Sequence, residues 1–271
     1  MSAVLAALGD GSVVAKRNVI KIRRVPDLLV GTLLSPIMFI LLFAYVFGSA
    51  IPAPAGVDYK EFLVPGIFAQ TVIFGGTITG AGLADDMQKG IIDRFRSLPM
   101  AQSAVLIGRT GSDVIINVLT IAIMTATGLV VGWRIRGSFL EAVLAFALLL
   151  LFAYAVSWVM AFFGLLVRSP EAFNNIIFIT VFPITFIANT FVPTEGFPTV
   201  LRVVAEWNPV SSLTLGVREL FGNVPPAGAP LVQSEAWAMQ NPVPYTLLWV
   251  VIILAVFVPL ATRQYKRSAA R

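Results

Sequence analysis

Six long stretches of the chain contain no Asp, Glu, Lys or Arg and consist mainly of apolar residues. A helix needs about 20 apolar residues to cross a bilayer, and each stretch meets that length. Prolines and glycines inside them are compatible with spanning helices, because neighbouring helices can satisfy the backbone groups left free. Glycines in the second stretch also permit close helix packing. We therefore predict membrane-spanning helices over residues 28–51, 62–84, 114–133, 142–167, 172–194 and 241–262.

A charged segment, DDMQKGIIDRFRSLPM, separates the second and third predicted spans at residues 85–100. Asp85 is suited to cap a helix start, and Pro99 stops its continuation. Gly90 lowers helix stability by about 1 kcal/mol relative to Ala, which marks a joint with the preceding span. The predicted helix is amphipathic, with an apolar face made of Met87, Ile91, Phe95 and Leu98. Its polar face holds Asp86, Lys89, Asp93 and Arg96.

Residues 195–240 are too apolar for a solvated loop but contain no stretch long enough to span. TVLRVVAEW and VSSLTLGVRELFG each predict a short helix, separated at Asn208 and Pro209. A re-entrant pair that dips into the outer leaflet fits this pattern if its backbone is buried in protein. Residues 13–28 mix basic and apolar positions, and they either lie flat on the inner membrane surface or only orient the first span.

Composition agrees with a membrane protein. The 271 residues are 58% hydrophobic and 12% charged, with a mean hydropathy of +0.88. Soluble domains average about 25% charged residues. The chain has neither Cys nor His, which excludes disulfides, thiolate chemistry, the usual zinc sites and histidine acid–base catalysis. We predict no metal site and no catalytic residue in this chain.

The distribution of basic residues predicts the orientation. Of the 19 Lys and Arg residues, fourteen fall on the side of the termini and five on the other. Cytoplasmic segments carry the excess of bases, so both termini, including residues 1–27, are predicted to be cytoplasmic. The bases lie between apolar runs and not in one patch, which disfavours nucleic acid as a partner despite the net charge of +5. SAIPAPAG at 49–56 resembles a signal-peptide cleavage site, but the preceding apolar run exceeds the usual length of about 7–15 residues, which favours an uncleaved span.

A few polar residues inside the predicted spans are candidates for a substrate pathway: Asn117, Thr120, Asn174, Asn175 and Asn189. Membrane Asn and Thr residues also hydrogen-bond between helices, so each has a purely structural alternative. No predicted span carries an acid or base near its middle, which disfavours a transporter driven by protons or ions.

Four features resemble the ABC-2 type permease family, in particular the daunorubicin-resistance permease type. They are the sequence at 17–51, QKGIIDRFRSLPMAQSAVLIGR at 88–109, FVPTEGFPTVLRVVAEWNPVSSLTLGVREL at 191–220, and the six-span layout. The resemblance implies one all-α transmembrane domain over 1–271, with external re-entrant helices in 195–240 whose turn contains Asn208, Pro209 and Arg218. It makes 85–100 a cytoplasmic coupling helix that docks on an ATPase subunit. The docking residues would be Met87, Lys89, Gly90, Ile91, Asp93, Arg94, Phe95, Arg96 and Leu98.

The resemblance also implies a permease in the cell membrane that exports drugs, lipids or glycolipids, with roles in multidrug and antibiotic resistance. Its partners would be two ATPase subunits that bind ATP and Mg, a second permease subunit, identical or homologous, and membrane lipid. The chain itself lacks the G-x-x-x-x-G-K-[ST] phosphate-binding loop, so ATP hydrolysis must belong to another chain. A self-contained secondary transporter and a non-transporting membrane anchor are the alternatives.

Overall fold

The computed structural model describes residues 26–48, 50–51, 56–92, 104–225 and 234–267, and no strand occurs within these ranges. A π-helical turn, Leu42–Phe47, continues the first helix, and a short 3-10 turn, Thr194–Gly196, precedes the seventh. The α-helices of the described ranges are α1 Pro26–Leu41, α2 Tyr59–Gly75, α3 Thr77–Gln88, α4 Ala104–Val131, α5 Phe139–Leu166, α6 Pro170–Ile187, α7 Thr199–Glu206, α8 Pro209–Phe221, α9 Trp237–Gln240 and α10 Pro242–Arg267.

Five helical segments are long and apolar enough to cross a membrane, and they coincide with the second to sixth predicted spans. They are Tyr59–Gln88, Ala104–Val131, Phe139–Leu166, Pro170–Ile187 and Pro242–Arg267. The first predicted span corresponds to α1 and its π-helical continuation. Of that region, Leu34–Phe47 qualifies as a shorter apolar helix within the residues described. The all-helical membrane architecture is therefore confirmed over the described residues, and the first of the six spans stays a prediction.

The rod formed by α2 and α3 lies at the centre of the helix bundle. In its most apolar window 72% of the residues are buried, against 17% for α6, which is peripheral. Asp58 caps the rod by accepting a hydrogen bond from the Lys60 backbone N–H at 2.8 Å. At Gly76 the rod breaks into α2 and α3, and the Thr77 hydroxyl next to the break donates to the Phe74 carbonyl at 2.6 Å.

Glycine allows α3 and α5 to pack in direct backbone contact. A Cβ atom at Gly164 on α5 would collide with the Gly80 carbonyl oxygen on α3, and one at Gly80 would collide with the Phe173 ring. Small residues at a crossing let membrane helices approach closely, so dispersion contacts replace the hydrophobic drive that lipid does not supply. The close packing predicted from the glycines of the second span is thus confirmed at Gly80.

Two helix starts lie where the sequence predicts a cap or a break, and a third start has a cap that was not predicted. Ser169 caps α6 and Pro170 occupies its first turn, as the sequence predicts. Asn208 caps α8, with Pro209 at the first helical position, so the break between the two short helices is also confirmed. Ser138 and Glu141 form a reciprocal capping box at the start of α5, which fixes where that helix begins.

The third span begins earlier than predicted. It starts at Ala104, ten residues before the predicted boundary, and so includes Arg109 and Asp113. The prediction excluded charged residues from spans, and it is wrong at this end because Arg109 pairs with Asp86 on α3. Pairing lets charged side chains remain inside a helix bundle where single charges are too costly to desolvate.

Candidate functional site

A central cavity of about 440 Å³ opens among α1, α2, α3, α4 and α6. Its wall is largely apolar and includes four aromatic rings, those of Phe39, Phe74, Phe178 and Phe182. Polar groups enter the wall at a few positions, among them Gln70, Thr71, Asn117 and Thr120. Ligand cavities usually measure about 300–1,000 Å³ and combine apolar walls with a few polar groups, so this cavity is suited to an amphiphile.

Asn117 and Thr120, two of the five predicted pathway residues, lie on this wall. Asn117 Nδ2 donates to the Asp113 carbonyl at 3.0 Å, and Thr120 Oγ1 donates to the Ile116 carbonyl at 2.9 Å. Both bonds stay within α4, so neither side chain uses its donor to hold another helix. A Cβ atom at Gly75 would lie 2.6 Å from Asn117 Oδ1, so glycine at this position lets the amide rest against α2.

The other predicted pathway residues lie elsewhere. Asn174 and Asn175 are on the exposed surface of α6, one turn before Phe178, and do not line the central cavity. Asn189 lies beyond the end of α6, in the wall of a second cavity at the opposite end of the α2–α3 rod from Gln88. The structure therefore brings together two of the five candidates and separates the remaining three.

Sequence reasoning missed Gln70 and the aromatic row on α6. Gln70 is buried in the wall, and as a lone amide in the middle of the second span it could have been noticed. Phe178, Phe182 and Phe186 are spaced four residues apart, so they stack along one helix face with ring centroids 4.9 and 4.1 Å apart. The row continues through Phe191, whose ring centroid is 5.0 Å from that of Phe186. Of the four rings in this row, Phe178 and Phe182 line the central cavity.

The inner charge cluster, formed by Asp86, Arg109 and Asp113, lies at the Gln88 end of the rod. Arg109 Nη2 donates to Asp86 Oδ2, and the guanidinium passes over Gly82, where a Cβ atom would collide with it. The Asp113 carboxylate hydrogen-bonds to Thr79, while its Oδ2 has no partner among the described residues. One arginine thus stands between two buried carboxylates on neighbouring helices.

The predicted coupling helix differs from the structure at its start. Asp85 does not cap a helix there; it lies in the last turn of α3 and pairs with Lys89 at 2.8 Å. The helix ends at Gln88, and Gly90 takes a left-handed φ of +65°, so no continuous helix runs from 85 to 100. Asp86, predicted on a polar face, is buried because Arg109 neutralises it.

Shortly after Gly90, the side chain of Ile92 is buried. It packs with Leu106, Trp158 and Tyr265 in an apolar cluster separate from the main hydrophobic core. Met87 packs on the same cluster, as its place on an apolar face predicts, and Ile91 is half-buried. The predicted docking residues Asp93, Arg94, Phe95, Arg96 and Leu98 lie outside the described residues.

At the other end, Arg218 on α8 holds three segments together. Its Nε donates to the Phe62 carbonyl at 2.8 Å, and its Nη2 donates to the Asn189 and Thr190 carbonyls at 2.9 and 3.1 Å. The guanidinium also stacks 3.5 Å from the centroid of the Phe62 ring. Sequence reasoning placed Arg218 at the re-entrant turn; the structure gives it this buried clamp between α8, α2 and the chain after α6.

Several further bonds fix α8 inside the bundle. Asn208 Nδ2 donates to the Ile184 carbonyl at 2.7 Å, and Thr246 Oγ1 on α10 donates to Ser212 Oγ at 3.0 Å. Ser211 and Thr214 are fully buried as well. A helix that is buried on nearly all sides, polar residues included, is part of the packed core and not a surface loop.

Comparisons with known proteins agree with this arrangement. The sequence profile described as ABC-2 type transporter matches residues 11–221. The chain is 33% identical over 254 residues to the daunorubicin resistance ABC transporter permease protein DrrB1 of Streptomyces coeruleorubidus, covering 94% of this chain and 85% of that protein. A probable doxorubicin resistance ABC transporter permease, DrrC of Mycobacterium tuberculosis, is 21% identical over 208 residues, covering 77% and 75%. The putative transport permease ycf38 of Cyanophora paradoxa is 21% identical over 214 residues, covering 78% and 73%.

Apolar helices long enough to span a membrane, a matching profile over most of the chain and a relative 33% identical over 94% of it therefore lead to one conclusion: the chain belongs to the ABC-2 type transporter family.

Proposed function

We propose that this chain is the permease subunit of an ATP-binding cassette exporter that moves amphiphilic molecules out of the cell. The observation that carries the proposal is the central cavity, which combines four aromatic rings with the amides of Gln70 and Asn117 inside a bundle of spanning helices. Such a wall accepts a molecule with a large apolar body and a few hydrogen-bonding groups. The names of two relatives, which refer to daunorubicin and doxorubicin resistance, support a drug-like or lipid-like cargo.

ATP is hydrolysed on separate subunits in this proposal. Membership of the ABC-2 family implies pairing with ABC ATPase subunits, and two of them, holding ATP and Mg, would serve a pair of permease chains. The segment after Gly90 is their docking site, and residues of the inner charge cluster flank it in the sequence. Because Asp86 precedes this segment and Arg109 follows it, a force on the segment acts on α3 and α4, both of which line the central cavity.

In this proposal the permease lies in the plasma membrane with both termini in the cytoplasm, and transport runs from the cytoplasmic side to the outside. The fourteen-to-five distribution of bases supports that orientation. In that orientation α7 and α8 lie on the outer side as a re-entrant pair, and the Arg218 clamp supports this by tying α8 to α2 and to the chain after α6. A second permease subunit completes the pathway along the side of the bundle where α6 is exposed.

Reconstitution tests the proposal. The tagged chain is purified with its ATPase partner, inserted into liposomes and supplied with ATP on the nucleotide-binding side. We expect ATP-dependent movement of a fluorescent anthracycline, abolished when the Walker lysine of the ATPase is replaced. Movement of the dye that needs a proton gradient but no ATP would instead identify a secondary transporter. No movement with either energy source would favour a membrane anchor.

A further inference from the structure

The inner charge cluster holds two acids and only one base. Asp86 on α3 pairs with Arg109 on α4, and Asp113 lies one turn further along α4, where it is only 3% exposed. The pair accounts for one carboxylate and leaves the other without a counter-charge of its own. An ionisable side chain buried inside a membrane helix bundle is costly, and such residues usually serve a function.

The two carboxylates differ in their hydrogen bonds. Asp86 Oδ2 accepts from Arg109 Nη2, whereas Asp113 bonds to the Thr79 hydroxyl on α3 and its Oδ2 has no partner among the described residues. An asparagine side chain could accept the same bond from a threonine hydroxyl without the cost of burying a charge. The free oxygen of Asp113 therefore points to a second arrangement, in which it accepts from a charged donor.

Arg109 is a donor within reach of Asp113. The two residues are four positions apart on α4, which makes them neighbours on one helix face, about 6 Å apart along the axis. Arg109 Nη1 lies over Gly82 and makes no hydrogen bond to a described residue. Gly82 is between Thr79 and Asp86 on α3, so the guanidinium already extends toward the part of α3 that meets Asp113. A rotation of the arginine side chain would exchange one carboxylate for the other.

The cluster connects the docking segment with the central cavity. Asp86 lies four residues before Gly90, after which that segment begins. At the other end, Asn117 Nδ2 donates to the backbone carbonyl of Asp113 at 3.0 Å, and Asn117 lines the central cavity. A continuous series of contacts therefore runs from the end of α3 through Arg109 and Asp113 to the cavity wall.

We propose that Arg109 exchanges Asp86 for Asp113 during the transport cycle, which makes Asp113 a positioning residue for transport. The inference rests on the proposed function, because ATP binding by the ATPase partner drives the exchange through the docking segment. With Arg109 on Asp86, the ion pair ties α3 to α4. With Arg109 on Asp113, the ion pair lies within α4 and α3 is released. Because both helices line the central cavity, the exchange changes its wall.

The affinity of the complex for ATP tests the exchange. A variant that destabilises one of two arrangements shifts the affinity for a ligand that favours either of them. The permease is assembled in nanodiscs with a hydrolysis-deficient ATPase partner and titrated with ATP and Mg. Asp86→Asn and Asp113→Asn remove opposite arrangements, so they should shift the Kd for ATP in opposite directions, each by about fivefold or more. Asp58→Asn makes the same chemical change at the cap of α2 and should leave the Kd unchanged.

A glycine variant tests the exchange without removing a charge, and it remains informative if a carboxylate variant fails to fold. A Cβ atom at Gly82 would collide with the Arg109 guanidinium in its present position over α3. Gly82→Ala should therefore shift the Kd for ATP in the same direction as Asp86→Asn. Gly111→Ala is the matched control, because a Cβ atom there meets nothing within 4 Å.

Failure of the exchange is separable from failure of the export function. Shifts of the Kd in the same direction for the two Asn variants, or a Kd equal to that of the wild type for Asp113→Asn, would assign Asp113 a purely structural role and overturn the exchange. ATP-driven transport of the fluorescent anthracycline by the wild type would leave the exporter intact in that case. Opposite shifts of the Kd without ATP-driven transport would retain the exchange and reject the exporter.

Discussion

Arg109 on α4 pairs with Asp86 near the end of α3, and both side chains are almost completely withdrawn from solvent, with side-chain exposures of 10% and 2%. The pair joins α3 to α4, the helices that precede and follow the segment 93–103 in the sequence. Asp113, one turn further along α4, shares the neighbourhood of the same arginine. Removing one member of such a pair leaves a buried charge uncompensated, which is more costly than never burying the pair.

Arg109→Ala should therefore destabilise the protein strongly, by about 3–5 kcal/mol. The double variant Arg109→Gln, Asp86→Asn removes both charges and should recover part of that loss. Lys89→Ala, which breaks the exposed pair with Asp85, is the control and should have little effect. Unfolding free energies from denaturant titration in mixed micelles measure all three, and equal losses for Arg109→Ala and Lys89→Ala would contradict the buried pair.

Gly164→Ala should lower the unfolding temperature because its new methyl group collides with the Gly80 backbone, which cannot move independently of α3. Gly111→Ala is the matched control. Gly111 is also helical, but a Cβ atom there meets nothing within 4 Å. Thermal unfolding monitored by intrinsic fluorescence compares the two, and an unchanged midpoint for Gly164→Ala would rule out the direct contact of α3 and α5.

Arg218→Gln should destabilise the outer end by an amount on the order of 3 kcal/mol, since buried carbonyls lose their donors. Arg218→Lys should lose less, because the charge remains while the planar donor geometry is lost. Arg202→Ala serves as control; its side chain is 42% exposed and its pair with Glu206 is worth at most about 1 kcal/mol. The rate of limited proteolysis within residues 195–240, at matched expression, measures how well the Arg218 clamp holds this region. Equal cleavage of all variants would argue against the clamp.

Phe178→Ala should weaken transport of aromatic cargo by removing one ring from the wall of the central cavity. Phe178 is 61% exposed in the subunit alone, so the ring is free to be covered by bound cargo, and losing such a contact should reduce affinity by about tenfold. Ile179→Ala changes the next residue, which is 74% exposed and does not line the cavity, and should leave transport unchanged. The apparent KM for the fluorescent cargo and the basal ATPase rate are measured together; a fall in basal hydrolysis without a change in KM would assign Phe178 to assembly.

Phe95→Ala tests the docking proposal for the segment after Gly90. A docking site needs an apolar anchor, and its truncation often costs about 2 kcal/mol or more, roughly a 30-fold loss in affinity. Lys89→Ala should be milder because Lys89 is exposed at the end of α3. The ATPase is co-purified with the wild type and with each variant at matched membrane insertion, which separates a role in docking from a role in contacting lipid. Equal recovery of the ATPase and equal permease-stimulated ATP hydrolysis in all of them would contradict the docking role.

The sequence alone determined the features that depend on local composition. Charge-free length located the five helices that are long enough to span, Ser169–Pro170 predicted the start of α6, and Asn208–Pro209 predicted the break before α8, because caps, turns and apolar runs act within a few residues. The distribution of bases predicted an orientation by the same local logic. These signals need no partner from elsewhere in the chain.

Tertiary structure alone decided which charges are buried and which polar residues meet. Asp86 belonged on a polar face by periodicity, yet it is buried because Arg109, 23 positions later in the chain, approaches over Gly82. Gln70 and Asn117 line the central cavity together, whereas Asn189 lies in the wall of the second cavity at the other end of the rod, since helix packing places residues far apart in sequence on a common wall. Burial depends on a neutralising partner across the bundle, and periodicity within one helix carries no information about that partner.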